Sequence, residues 1–426
     1  MNSRRFLFLQ GPLSPLYRRL GQRLLVDGYS VYRINFNVGD WLHWHGENCF
    51  SFRGTVEQWP EYLKQFIVDN AITDLVLHGD RRVYHKIAID IAKKNNLYIS
   101  VTELGILRPG WLTIEKDGLG LLSHFPNDAQ YLLDQVKHLT EPVKNKAFSY
   151  PFYQMAFWDV SYNLINYFLF WLYPGYQRHT PYNPILEYSF AAVRLIRESS
   201  AHRQANQIIC KLRDSEVNVF VFPLQLNGDF QIRDFSPFDS MGEVIEVVLK
   251  SFAQHAPENA CLLIKQHPLD PGLDKLKTIT RTLAKNMNID DRVYYIDGGD
   301  LELAYKFSTG AVMVNSSAAI GALDQGIAVK TLAPAIYDIE GITFQGELDQ
   351  FWQSGFKLRK EIYTAFKTIL KHSTQVPGAL YGEEAIDSAV EGMAGKIIDY
   401  QLNQPAAYVE TPPRLLTTEH WFKVES

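Results

Sequence analysis

Short apolar runs alternate with amphipathic stretches through the first quarter of the chain. The runs have the length of buried strands, and the stretches between them repeat apolar residues at helical spacing. Alternation of this kind predicts a parallel sheet with crossover helices. The predicted strands are 5–10, 29–36, 72–79 and 97–104, and the predicted helices are 15–28, 61–70 and 84–96.

The same rhythm returns in the second half of the chain, which predicts a second doubly wound domain. Further helices are expected at 346–372 and 383–402, followed by a polar tail. In this domain the predicted strands are 217–222, 260–267, 292–297, 310–315 and 329–333, and the helices between them include 241–256 and 301–308.

Between the two rhythms the pattern changes. Residues 111–122 are expected to form a hairpin around Lys116-Asp117-Gly118, and 128–203 read as helices without strands. The aromatic-rich part, 148–176, has two interpretations: a helix in the headgroup plane of a membrane, or a helix packed on the first domain. The predicted divisions are 1–127 (first lobe), 128–205 (helical insert), 206–382 (second lobe) and 383–426 (a helix that crosses back to the first lobe, and the tail).

Composition removes several classes of function. The chain has 426 residues, a net charge of −5 and three cysteines without CxxC spacing. We therefore expect no nucleic-acid partner, no disulfide framework and no metal site. The apolar run at the N-terminus is short for a signal peptide, and none of the apolar stretches is long enough to span a bilayer. A cytoplasmic location is expected.

Polar residues follow two strands of the second domain. Gln225 and Asp229 come after 217–222, and Lys265 and His267 come after the next apolar run. Ligands of open α/β sheets bind beyond the carboxyl ends of the strands, so these side chains are candidates for one site. The alternatives are a turn Asp bonded to its own backbone and a core His bonded to a carbonyl. The other candidates in these segments are Gln231, Arg233 and Pro268.

A third strand end carries Asn315, Ser316 and Ser317. Hydroxyls and free N–H groups at a helix start bind phosphate, although a plain helix cap is the commoner use of two serines. The Gly-rich pattern of a P-loop is absent from the sequence, which argues against an ATPase of that class.

The first domain has its own candidates. Glu103 ends a strand and can supply a second acid/base group, or it can form a surface pair with Arg108. Asp80 and His85 follow another strand, and Asp80 is expected to cap the next helix. Gly11 ends the first strand.

At these residues the chain resembles the KpsS-type capsule polysaccharide proteins of Gram-negative bacteria, a biosynthesis and export family of β-Kdo transferases. Order and spacing agree over most of the chain. The departure is at Glu103, where the family usually reads Glu-Glu-Gly-Tyr and this chain reads Thr-Glu-Leu-Gly. The matching segments are 9–12, 78–88, 103–109, 224–238, 264–272, 314–323 and 337–352.

The resemblance implies an α/β fold of the GT-B type with two Rossmann-like lobes, and CMP-Kdo as the donor. It implies transfer to a phosphatidylglycerol-type lipid at the inner face of the inner membrane, beside other capsule assembly proteins, without a cofactor. By this similarity Asp229 is the nucleophile of a retaining reaction, and His267 contacts the CMP phosphate beside Ser316 and Ser317.

The other roles follow on the same basis. Glu103 is expected to deprotonate the acceptor. Arg233 or Lys265 is expected to pair with the sugar carboxylate. Donor binding is assigned to Gln225, Gln231, Pro268 and Asn315, and the acceptor side to Gly11, Asp80, His85 and Arg108.

Two alternatives remain open. One is a non-catalytic scaffold of the capsule assembly and export complex. The other is a transferase that uses a different CMP-sugar, such as CMP-sialic acid.

Overall fold

A computed structural model of the chain describes residues 4–139, 148, 151–178 and 183–415. They belong to two compact units, each made of segments that are separate in sequence. The first unit is Met1–Pro126, Gln135–Pro184 and Lys367–Pro413, and the second is Asn127–Asp134, Ile185–Phe366 and Arg414–Ser426. Parts of the predicted insert (140–147, 149–150 and 179–182) and of the predicted tail (416–426) lie outside the described residues.

Twelve strands are present among the described residues. They are β1 (Arg5–Phe8), β2 (Ser30–Asn35), β3 (Cys49–Ser51), β4 (Asp74–His78), β5 (Tyr98–Leu104), β6 (Trp111–Lys116), β7 (Asn218–Pro223), β8 (Ala260–Lys265), β9 (Val293–Ile296), β10 (Gly310–Met313), β11 (Ala328–Thr331) and β12 (Gln375–Pro377).

The α-helices of the same residues are α1 (Leu16–Val26), α2 (Val38–His43), α3 (Trp59–Asp69), α4 (Val83–Lys94), α5 (Ala129–Gln135), α6 (Phe152–Phe168), α7 (Pro184–Arg213), α8 (Phe230–Arg233), α9 (Met241–His255), α10 (Leu276–Asn286), α11 (Leu301–Tyr305), α12 (Ala319–Asp324), α13 (Leu348–Phe351), α14 (Lys360–Ser373) and α15 (Glu383–Ile398). Short 3-10 turns lie at Val56–Gln58, Gly120–Leu122, Val136–His138 and Phe170–Leu172.

The first unit contains a seven-stranded sheet in the order β12-β6-β5-β4-β1-β2-β3. Strands β1 to β5 run parallel, and β6 is antiparallel to both β5 and β12. β1 lies between β2 and β4, so the chain leaves β1 toward one side of the sheet and returns to its other side. Crossover helices cover such a sheet, and β4 accordingly is buried along its whole length.

The second unit contains a five-stranded, all-parallel sheet in the order β11-β10-β7-β8-β9. Its first strand, β7, again lies in the interior of the sheet, between β8 and β10. Both predicted strand–helix rhythms therefore correspond to doubly wound parallel sheets. The predicted α/β, GT-B-like fold class is confirmed.

The hairpin predicted for 111–122 is wrong. β6 pairs with β5 on its N-terminal side, with Glu103 opposite Thr113, so the reversal lies in the loop 105–110. Gly105 permits this tight approach, because a Cβ there would lie 2.1 Å from the carbonyl oxygen of Trp111. After β6 the chain turns at Asp117, whose φ of 68° ends the strand.

The predicted insert 128–205 is divided between the two units. Helix α6 belongs to the first unit, and most of α7 belongs to the second. Helix α7 continues beyond the predicted insert to Arg213. Both helices carry exposed large apolar side chains, including Phe157 and Trp171 around α6 and Ile196 on α7. Within the described ranges, no helix combines the length and the hydrophobicity that a membrane crossing requires.

Helix α15 returns to the first unit and packs along α1. Leu20 and Leu24 of α1 share one buried cluster with Val390 and Met393 of α15. The exposed margin of this contact carries the ion pair between Arg23 and Glu391 at 2.9 Å. Apolar burial therefore provides most of the stability of the contact, because exposed ion pairs contribute at most about 1 kcal/mol.

Met393→Ala tests this contact. Met393 is fully buried, so its truncation leaves a cavity and should lower the free energy of unfolding by about 2–5 kcal/mol. The measurement is urea denaturation followed by circular dichroism. Glu391→Ala on the same helix is the control, with an expected loss below about 1 kcal/mol. Equal losses for the two variants would contradict the packing described here.

Candidate active site

The second sheet changes winding direction between β7 and β10, and a pair of amide side chains occupies the carboxyl ends of these strands. Gln225 follows β7 and Asn315 follows β10, and both are buried. The Gln225 Nε2 donates to Asn315 Oδ1 at 3.0 Å, and the Asn315 backbone N–H donates to Gln225 Oε1 at 3.2 Å. This is the position at which open α/β sheets bind their ligands.

Asp229 is held at the mouth of this switch point. It precedes the short helix α8, and its Oδ1 accepts a hydrogen bond from the Gln231 backbone N–H at 3.0 Å. Asn315 Nδ2 donates to the Gln231 carbonyl at 2.9 Å, which ties α8 to the amide pair. The bonded turn anticipated as the plain alternative is therefore present, and it also gives the half-buried carboxylate a fixed direction. Arg233, at the end of α8, is exposed.

His267 lies beyond the end of the neighbouring strand β8. Its Nδ1 accepts a hydrogen bond from the Leu269 backbone N–H at 3.1 Å. A ring nitrogen that accepts carries no proton, so the neutral imidazole has its proton on Nε2. The ring can then donate from Nε2 to an anionic oxygen. Pro268, the next residue, is exposed.

Lys265 ends β8 as a buried cation. Burial lowers its pKa, and the carboxylate of Asp297 at the end of β9 opposes this effect. Asp297 itself forms an ion pair with Arg194 at 2.6 Å, and Arg194 also donates to the carbonyl of Pro268. Two cations therefore lie at the ends of β8 and β9, together with the carboxylates of Asp297, Asp270 and Asp300. Lys265 and Arg194 can each pair with an anionic group of a ligand.

Arg194 and Asp297 were not predicted as site residues. The sequence could have identified Asp297 as a site candidate, because this residue ends an apolar run that was predicted as a strand. Arg194 had none, because it lies on α7, 103 residues from its partner in sequence.

The predicted helix cap at Ser316 or Ser317 is wrong. Helix α12 begins at Ala319, and the residue before it has no side-chain cap. Ser316 Oγ instead accepts from the Ala318 backbone N–H at 3.2 Å, and the Ser316 carbonyl accepts from the Tyr337 hydroxyl at 2.6 Å. The two serines form a turn ahead of a helix of six residues. Their half-buried hydroxyls still follow β10 next to Asn315.

In the first unit, Glu103 lies beside a buried histidine. Its Oε1 accepts from the Leu104 backbone N–H at 2.9 Å and is 3.6 Å from His78 Nε2. His78 Nδ1 is 3.0 Å from the Thr102 hydroxyl. Burial lowers the pKa of His78 to about 4, so the ring is neutral at pH 7 and forms no ion pair with Glu103.

Asp80 does not cap a helix, contrary to the prediction. It is buried, and its Oδ2 accepts from the Leu119 backbone N–H at 2.8 Å, which ties the turn after β4 to the chain after β6. His85 is also buried, with Nδ1 2.7 Å from the Gly79 carbonyl oxygen. Arg108 is exposed and donates to the Gly105 carbonyl at 2.8 Å, not to Glu103.

Gly11 connects this group to the end of β1. Arg82, which was not predicted, donates to the Gly11 carbonyl at 3.2 Å. A Cβ at Gly11 would lie 2.8 Å from the Tyr17 ring, so the close approach of this loop to α1 requires glycine. The only sequence signal for Arg82 was its place in the polar segment after β4.

The candidate residues thus form two groups, one in each unit. Gln225, Asp229, Lys265, His267 and Asn315 occupy strand ends of the second sheet. Gly11 and Glu103 occupy strand ends of the first. In the part of the chain that is described, no three His, Cys, Asp or Glu side chains form a metal-binding cluster.

Asp80→Asn tests the buried carboxyl group. Burial raises the pKa of Asp80 from 3.8 to about 6. The folded protein therefore holds a proton that the unfolded chain releases, and stability falls as pH rises through this window. Asn retains an oxygen for the Leu119 N–H without this penalty. The variant should match the wild type near pH 4 and exceed its free energy of unfolding by about 3 kcal/mol at pH 7.

Urea denaturation of both proteins from pH 4 to pH 8 measures this difference. Asp69→Asn, at an exposed position of α3 in the same unit, is the control. The difference in free energy of unfolding between this variant and the wild type should change little from pH 4 to pH 8. A difference that is constant across the range would mean that Asp80 does not titrate as described.

This chain is similar to known proteins over most of its length. Residues 73–381, more than half of the chain, match the family described as "Capsule polysaccharide biosynthesis protein". The "Capsule polysaccharide modification protein LipB" of Neisseria meningitidis serogroup A is 30% identical, over 88% of this chain and 91% of that protein. The "Capsule polysaccharide export protein KpsS" of Escherichia coli is 27% identical, over 89% and 98%.

Among solved structures, Thermosulfurimonas dismutans KpsC, a beta Kdo 2,7 transferase, is 14% identical with a TM-score of 0.43, over 91% of this chain and 99% of that one. The family match and the similarity to LipB agree with the resemblance inferred from the motifs. The chain belongs to the capsule polysaccharide biosynthesis family.

Proposed function

We propose that this protein is a retaining β-Kdo transferase. It moves Kdo from CMP-Kdo to a phosphatidylglycerol or lyso-phosphatidylglycerol acceptor and so starts the lipid linker of a capsular polysaccharide. The observation that carries the proposal is the arrangement of an oriented carboxylate (Asp229), a donor imidazole (His267) and a buried cation (Lys265) at adjoining strand ends of one sheet. Membership of the capsule family makes a capsule sugar the expected substrate class.

The donor suits this group of side chains by charge. CMP-Kdo carries a phosphate and a sugar carboxylate, and Lys265 and Arg194 offer positive charge at the ends of β8 and β9. His267 Nε2 donates to the phosphate oxygen on which charge develops as CMP departs. The amide pair Gln225–Asn315 does not react in this scheme; it holds α8 and thereby the direction of Asp229.

The proposed reaction has two displacements. In the first, a carboxylate oxygen of Asp229 bonds to the anomeric carbon, and the bond from that carbon to the phosphate oxygen breaks, so that CMP leaves with the electron pair. In the second, an acceptor hydroxyl bonds to the same carbon and releases Asp229, and a base takes the hydroxyl proton. Two inversions retain the β configuration. We assign the base to Glu103 of the first unit.

The acceptor class agrees with the exposed aromatic residues of the first unit. Phe157, Phe168 and Trp171 expose large apolar surfaces. Side chains of this kind favour the interface between water and a bilayer. We propose that the protein acts as a peripheral protein at the inner face of the inner membrane, beside other capsule assembly proteins.

Asp229→Asn tests the nucleophile. A neutral amide cannot form the glycosyl ester, so turnover should fall at least about 1,000-fold, while the amide oxygen still accepts from Gln231 and preserves α8. The assay is mass spectrometry of a fluorescent lyso-phosphatidylglycerol incubated with the purified full-length chain and freshly generated CMP-Kdo. The expected product of the wild type is heavier by one Kdo.

Asp239→Asn, at an exposed Asp of the same segment, is the matched control and should retain the activity. Substantial transfer by Asp229→Asn would refute the nucleophile assignment. Transfer from CMP-sialic acid but not from CMP-Kdo would keep the reaction class and change the donor. A folded wild type that transfers neither sugar would favour the scaffold alternative.

Arg194→Met tests the charge at the ends of β8 and β9. Without Arg194, the site loses one positive charge, and the Asp297 carboxylate loses its ion pair. The dissociation constant for CMP, measured by titration calorimetry, should rise about 10-fold, which corresponds to about 1.4 kcal/mol. Arg197→Met, at an exposed position on the same helix, should leave it unchanged. Equal affinities for wild type and Arg194→Met would exclude Arg194 from donor binding.

A further inference from the structure

A narrow cavity in the first unit has no role in the reaction described above. It lies at the end of β1, between the loop 10–15, helix α2 and helix α6. Its enclosed volume is about 10 Å³, which is room for about one water molecule. The lining side chains that matter here are Tyr17, Arg33, Asp40, His43 and Tyr162.

Two opposite charges in the cavity wall are buried and held in place. The Asp40 carboxylate accepts from the Phe36 backbone N–H at 3.1 Å and from the Tyr162 hydroxyl at 3.0 Å. It also accepts from Gln10 Nε2 at 3.2 Å, and Arg33 lies 3.7 Å away. These two buried charges compensate each other, and the exposed Arg18 also lines the cavity. The buried part of the wall suits a neutral hydrogen-bonding group better than an ion.

His43 brings an unused hydrogen-bonding atom to this wall. Its Nε2 is buried and has no hydrogen-bond partner among the described residues. Its ring lies edge-on to Trp158 at 4.8 Å and against Tyr162 at 5.3 Å, which fixes its orientation. Burial lowers the pKa of His43 to about 4, so the ring is uncharged at pH 7. An uncharged ring nitrogen can pair with a hydroxyl group, as donor or acceptor.

A series of polar contacts leads from the cavity toward the proposed base. Tyr17, which lines it, has its hydroxyl 2.8 Å from the Thr102 hydroxyl. Thr102 lies 3.0 Å from His78 Nδ1, and His78 is 3.6 Å from Glu103. A chain of polar contacts therefore connects the wall of the cavity to the Glu103 carboxylate within the same unit.

Helix α6 gives the cavity a second property. Tyr162 contributes its buried hydroxyl to the wall, while Phe157 and Phe168 of the same helix expose their rings. A ligand with a small polar end and an apolar body matches both faces of this helix. The small enclosed volume limits the part of the ligand that enters to about the size of one hydroxyl group.

We infer that this cavity binds a hydroxymethyl group of the acceptor, with His43 and the fixed Asp40–Arg33 pair as its recognition elements. The inference rests on the proposed function for the identity of the acceptor. It adds that acceptor choice depends on a hydroxyl group that does not itself react.

The test compares two short-chain lipids that differ in hydroxyl groups. Dihexanoyl phosphatidylglycerol and dihexanoyl phosphatidylethanol carry the same charge, but the second has no free hydroxyl in its head group. Titration calorimetry with the full-length wild type, without donor, should show at least about 10-fold tighter binding of the first, because a site built for a hydroxyl rejects an analogue that lacks it. His43→Phe retains the aromatic packing and should abolish this preference while leaving phosphatidylethanol binding unchanged.

His45→Phe is the matched control, since His45 is an exposed residue just after the same helix and does not line the cavity. The preference of this variant should equal that of the wild type. A wild type that binds both lipids equally would overturn the inference even if His43→Phe failed to fold. An unchanged preference in His43→Phe would do the same and leave water as the occupant of the cavity. Binding is measured apart from transfer, so a preserved preference without Kdo transfer would contradict the proposed function alone.

Discussion

The candidate active site depends on two buried amides that satisfy each other. Gln225 and Asn315 end strands that lie side by side at the switch point of the second sheet, and they exchange two hydrogen bonds. Loss of Gln225 would remove both of these hydrogen bonds from buried groups of Asn315, at a cost of about 1–3 kcal/mol. Asn315 also holds α8, so the same pair sets the direction of Asp229. The orientation of Asp229 is therefore fixed by hydrogen bonds between buried residues that do not themselves react.

The first unit uses a similar device at the ends of β1 and β2. Asp40 collects hydrogen bonds from the loop after β2, from Gln10 after β1 and from Tyr162 of α6. A helix with so many aromatic residues is thereby anchored by a buried hydroxyl as well as by apolar packing. Helix α6 is therefore partly core and partly exposed surface: one face completes a polar network, and the other exposes Phe157 and Phe168.

Much of the fold could be predicted from the sequence, because strand–helix alternation over long segments leaves a strong periodic signal. Short elements leave too little periodic signal to be recognised. Helix α2, strand β3 and strand β12 have six, three and three residues, and none was predicted. The predicted hairpin was wrong because β6 pairs with β5, the strand before it, and not with the residues after it. The choice between two neighbouring partners depends on the tertiary structure. The expected cap at Asp80 was wrong because a tertiary partner, the Leu119 N–H, took its hydrogen bond. The expected cap at Ser316 was wrong because its hydroxyl closes a local turn with the Ala318 N–H ahead of the helix.

The sequence by itself determined the two parallel sheets, the polar residues at the ends of their strands and the family to which the chain belongs. Each of these is a local property, carried by periodicity or by short motifs. The tertiary structure alone decided which side chains meet. Arg194 pairs with Asp297, 103 residues away, and Tyr162 with Asp40, 122 residues away. Such contacts depend on how helices from the middle of the chain pack against strand ends, and no local pattern encodes that packing.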